Sequence, residues 1–166
     1  MERLSNKYSD LHNELKVELA SLDLDTNEQC AIKYSEIPWF PGGPLSLSIV
    51  EDKFTNVYKL IEKTWDNEYD LKRFSTGVFN LDRLCIRTRS IQISVEKQKE
   101  CQNLIRNISF VPETLERQDY IMLDGIDYEL AITTNAIDKN FKWKLATDDI
   151  KYFETLITFM KSLALE

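Results

Sequence analysis

Histidine is almost missing from this chain: His12 stands alone among 166 residues. A lone imidazole cannot build a His-rich metal site, and any Ser–His or Cys–His pair would have to use this one position. No G-x-S-x-G is present to supply a nucleophile elbow. Glycine and proline are scarce as well, 4 of each, which leaves few places for long flexible linkers. G-x-G-x-x-G does not occur, and Gly42-Gly43 lies between Pro41 and Pro44 with no Lys-Ser/Thr to follow, so neither nucleotide-binding loop has support. No apolar run approaches the roughly 18 residues that span a bilayer. Met1-Glu2-Arg3-Leu4 opens without the apolar segment of a secretory signal. The three cysteines, Cys30, Cys85 and Cys101, are odd in number, widely spaced and free of C-x-x-C. They are expected to be reduced, buried as small hydrophobes, in a cytoplasmic protein.

Acidic charge is what the chain has in excess. The net charge is -7, which argues against nucleic-acid binding through phosphates, a task for clustered Lys and Arg. An acidic surface suits a basic protein partner through steering, and it also serves plain solubility. Hydrophobic residues at 43% and charged residues at 30% give an ordinary globular balance, able to bury a core without disulfides or metal. One domain over residues 1–166 is expected.

The apolar spacing predicts the elements. Leu4, Tyr8, Leu11, Leu15, Leu19 and Leu22 fall at helical intervals, giving a first helix from about residue 2 to residue 20, with His12 on its surface. Leu15 to Leu19 also alternates as a strand would. Cys30, Ile32 and Tyr34 alternate as one strand, and Leu45, Leu47 and Ile49 as another. Between them, residues 37–44 hold three prolines and two glycines, which neither helix nor ladder tolerates. Val57, Tyr58, Ile61 and Trp65 fit helix spacing, although their β-branched and aromatic character tolerates a strand. One helical turn is expected in the charged stretch from Asp66 to Phe74, one or two strands in Leu84 to Val95, and a helix in Glu96 to Ile108, before Pro112. Asp124-Gly125 between apolar runs predicts a tight hairpin from Tyr120 to Ile132. Phe141, Trp143 and Leu145 form a further strand, and a helix carries Ile150, Phe153, Leu156, Ile157, Met160 and Leu163 on one stripe. The fold class is α+β: a mainly antiparallel sheet, with N-terminal, middle and C-terminal helices gathered on one side of it.

No residues mark themselves as catalytic, cofactor-binding or metal-ligating. Asp23, Asp25 and Asn27 match the start of a calcium loop, but Glu28 and Tyr34 stand where Gly and a bidentate Glu are required. A glycosidase-like carboxylate pair has nothing to single it out. The candidate partner-binding residues are Asp66, Glu68 and Asp70 around Tyr69, a strip of alternating carboxylates that suits a basic cleft. Trp39 and Phe40 are a second candidate: the rigid proline-glycine loop presents them outward as anchors, or they fold back and plug the sheet edge.

The order Leu123-Asp124-Gly125, Tyr128-x-Leu130-x-Ile132, Phe141-x-Trp143, then an amphipathic helix, resembles a pattern in small bacterial immunity-type proteins. Those are cytosolic partners that neutralise toxins of contact-dependent or polymorphic systems. The resemblance covers residues 120–165 and implies a non-catalytic protein that acts by occlusion, with a basic toxin domain as partner and no cofactor, nucleic acid or membrane. It transfers no site residues. An enzyme or small-ligand binder with dispersed polar residues, and a structural subunit, are the competing classes.

Overall fold

The computed structural model describes residues 2–38, 43–78, 80–108, 125–135, 137–143 and 151–166. In chain order the elements are α1 (Glu2–Ala20), β1 (Glu28–Pro38), β2 (Leu45–Asp52), β3 (Val57–Trp65), α2 (Asn67–Ser75), β4 (Ile86–Gln92), α3 (Val95–Ile108), β5 (Ile126–Thr133), β6 (Asp138–Trp143) and α4 (Lys151–Leu163). The strands form one open, wholly antiparallel sheet in the order β4-β3-β2-β1-β5-β6, so the class is α+β. No helix among the described residues is long and apolar enough to cross a membrane.

Register divides the side chains between two faces, because residues directly opposite each other project to the same side. Tyr34, Leu47 and Leu130 share one face with Ile32, Ile49 and Leu60. All six lie in the main core, with Cys101, Ile105 and Ile108 of α3 and Phe153, Leu156, Ile157 and Met160 of α4. The expected seating of α4 is found: Phe153 packs on Phe141 and Trp143 at ring separations of 4.5 and 6.0 Å, and Trp143 stacks on Tyr128 at 5.5 Å.

The opposite face carries α1, so the helices are not gathered on one side. Here the sheet presents small side chains, Ser35, Ser46 and Ser48, all buried. Serines let a helix come close where leucines would hold it off. Leu11 and Leu15 reach Trp65 at one end of this face, in a second core completed by Leu71, Phe74, Leu84 and Ile86. The last turn of α1 contains no basic residue. Its carbonyls are met from the sheet instead: Lys33 Nζ donates to Ala20 O at 2.8 Å, and Lys63 Nζ to Glu18 O at 3.1 Å and Ser21 O at 2.6 Å.

The segment from Val57 to Trp65 corrects the helical expectation. It is a central strand, with Tyr58 and Leu60 in the main core while Ile61 and Trp65 face the other way. Apolar residues on both sides of a sandwiched strand blur the alternation into something that also fits a helix. Leu84 to Val95 yields one strand, β4. The expected Tyr120–Leu123 strand, Asp124 of its turn, and Leu145 and Ile150 lie outside the described residues. From Tyr128 to Ile132, β5 is paired on both sides, by β1 and by β6.

Candidate functional site

The expected acidic strip is taken apart by helix geometry. Alternating positions line up in a strand, but residues 67–75 are helical, where residues three and four apart share a side. Asp66 is the N-cap of α2 and accepts the Tyr69 N–H at 3.2 Å. It is also ion-paired with Arg87, whose Nε lies 3.1 Å away. Arg87 first, and then the Tyr69 N–H, hold its carboxyl below the usual carboxylate range. The charged cap is therefore kept below the pH at which an unfolded aspartate protonates, and is lost only as pH falls through the depressed value. Asp70 is fully buried. It accepts the Trp65 indole N–H and the Cys85 backbone N–H, each at 2.7 Å, and pairs with Arg73 at 2.8 Å. Only Glu68 and Tyr69 of the strip are exposed. Trp39 and Phe40 lie outside the described residues; the flanking Pro38 and Leu45 end at the same end of the sheet as Trp65.

His12 is not on the surface. It is 3% exposed, and its Nε2 lies 3.1 Å from Asp127 Oδ2, so Nε2 carries a proton and donates. Lys16, one turn along α1, pairs with the same carboxylate. The three tie α1 to the start of β5 across 115 residues of chain. The sequence held half of this signal, since His12 sits beside Leu11 within the Leu11–Leu15–Leu19 stripe. Its partner is too distant in the chain for spacing to reveal. His12→Ala is therefore expected to destabilise the fold by about 1–3 kcal/mol, as the half-buried Asp127 carboxylate loses the buried imidazole donor. A urea midpoint equal to wild type would show that the contact carries no weight.

Of the three thiols expected to be buried, Cys101 lies in the main core, whereas Cys30 and Cys85 are only half-buried. All three cysteines are free. Burial pushes the Cys101 thiol up to about 12 and raises that of Cys30, the reverse of what a nucleophilic cysteine needs. Among the described residues no group of three or more His, Cys, Asp and Glu could hold a metal ion. The calcium-like stretch is a turn, in which Asp25 N–H donates to Glu28 Oε2 at 3.2 Å and Glu28 N–H to Asp25 O at 2.9 Å.

At the other end of the sheet the β2–β3 turn is built with unusual economy. Asp52 Oδ1 accepts the N–H groups of Phe54 and Thr55 at 2.8 and 3.0 Å, and its Oδ2 takes Asn27 Nδ2 at 2.7 Å. Asn56 closes the turn with φ 53°, its N–H bonded to Asp52 O at 2.8 Å. The residue held at the apex, Phe54, is 84% exposed. Sequence reading missed this position, because a phenylalanine amid polar turn residues belongs to no periodic face. No protein-family model, curated protein or solved structure matches the chain.

Proposed function

We propose that this protein works by binding another protein and covering it, without a chemical step, and that it is an immunity-type protein whose acidic surface blocks the working cleft of a basic toxin in the cytoplasm. The observation that supports a binding role is how the buried polar groups are used. Asp70 joins β3, α2 and the segment before β4, while His12 and Asp127 join α1 to β5. These are fold-making bonds, and burial raises the Cys30 and Cys101 thiols rather than activating them. The net charge of -7 supports a cationic partner, since a field of one sign speeds the encounter with the other.

The test is direct. The purified protein is mixed with the purified product of the adjacent gene, and association is followed at two salt concentrations. Complex formation with an on-rate that falls as salt rises, together with loss of the toxin's activity, is the expected result. No complex would reject the immunity reading for that pair, and a complex that leaves the toxin active would reject occlusion.

A further inference from the structure

We infer that the β2–β3 hairpin tip, with Phe54 at its apex, is the docking element, and that it seats in an apolar socket rimmed by basic residues on a protein partner. The inference rests on the binding role proposed above and supplies it with a surface and a partner chemistry.

Three observations converge on the tip. First, Phe54 does nothing for the fold: at 84% exposure its ring is held in water, away from both cores. Second, the backbone beneath it is fixed from two sides. Asp52 holds the turn from within, and the loop before β1 braces it from outside, with Lys53 N–H donating to Asn27 O at 2.9 Å and Asn27 Nδ2 to Asp52 Oδ2. A flexible loop would lose freedom on docking, whereas a turn already ordered loses little, and a rigid aromatic is the usual anchor of an interface. Third, the two braced segments, residues 23–28 and 51–59, contain five carboxylates against two lysines. Lys59 is already paired with Glu28, and Asp23 and Asp25 are exposed on the loop that braces the tip. Lys53 is exposed beside Phe54, but the two segments together remain net negative, and one apolar side chain on a net-negative tip suits a cationic rim around an apolar hollow.

The tip lies at the opposite end of the sheet from Glu68 and Tyr69, because Asp52 pairs with Val57 at one end and Trp65 with Ile86 at the other. The two surfaces can therefore be separated by mutation.

The test uses a displayed random-peptide library selected on the full-length protein, with Phe54→Ala for comparison. Selected peptides are expected to combine Lys or Arg with an aromatic or aliphatic residue, to bind Phe54→Ala at least about tenfold more weakly, and to lose affinity as salt rises. Asp23→Asn/Asp25→Asn should slow their association. The Phe54→Ala melting temperature is expected to match wild type, so weak binding cannot be blamed on unfolding. Failure to enrich peptides, or peptides that bind Phe54→Ala as well as wild type, would overturn the assignment of the tip. The binding role itself stands or falls separately, on complex formation with the adjacent gene's product.

Discussion

Asp70→Ala should be among the most damaging single changes in this protein, at a cost of about 3–5 kcal/mol, the range for removing one partner of a buried ion pair. The substitution strips two hydrogen-bond donors, the Trp65 indole and the Cys85 amide, of their acceptor and leaves the Arg73 guanidinium without its ion-pair partner. The first two are held at 2.7 Å, and no water-accessible route replaces a group that is fully buried. Against a total stability of about 5–15 kcal/mol the loss is a large fraction. For a chain of this length it corresponds to a fall of roughly 6–20 °C in Tm. Asp70→Asn keeps the shape and one acceptor oxygen and should fall between wild type and Asp70→Ala. Urea titrations of the three proteins decide the matter, and coincident midpoints would show that α2 is not fastened through this carboxylate. The same result bears on any attempt to neutralise Asp66, Glu68 and Asp70 together. In such a triple variant a loss of binding would be confounded with the loss of stability at Asp70.

Leu156→Ala is expected to cost about 2–5 kcal/mol. Leu156 is 1% exposed in the middle of α4, in the core that joins α3 and α4 to five strands. Truncation removes its transfer energy and opens a cavity that rigid sheet neighbours such as Leu130 and Ile132 cannot collapse to fill. Leu156→Met conserves most of the volume and should cost under about 1.5 kcal/mol. A thermal melt in which both variants match wild type would mean that α4 is not seated on the sheet.

The elements that the sequence disclosed are those with large apolar side chains on one side only. α1, α3 and α4 each show a single apolar stripe, and β1 and β2 alternate because their second face is small or polar. β3 hid itself, since Tyr58 and Leu60 feed one core while Ile61 and Trp65 face the other helix layer. The placement of α1 on its own face turned on three serines, Ser35, Ser46 and Ser48, which look like strand-exterior residues until a helix is found on top of them. The candidate site was harder to see. Asp66 and Asp70 are acidic by composition but structural by position, and that distinction depends on Arg87, Trp65 and Cys85 arriving from elsewhere. Phe54 announced nothing at all, because the bonds that make its turn rigid come from Asp52 and Asn27, polar residues of the most ordinary kind.

The strand order has a consequence for how the chain is made. β1, β2 and β3 form consecutive hairpins over residues 28–65, and β4 joins β3 after the α2 connection, so every pairing from β1 to β4 is with the next strand in the chain. The other edge of β1 is different: Ile32 meets Ile132, and the ladder runs back to Pro38 against Ile126. During synthesis β1 to β4 can pair while that edge still has no mate, for all of β4 and α3 must leave the ribosome before β5 does. The nascent protein thus carries a row of unsatisfied amides and carbonyls along Ile32 to Pro38, an invitation to pair with a neighbouring chain. Short-range ladders form fast and long-range closure is slow. The arrival of β5 is therefore the event that covers this edge of β1, and β6 then pairs with β5 to complete the sheet.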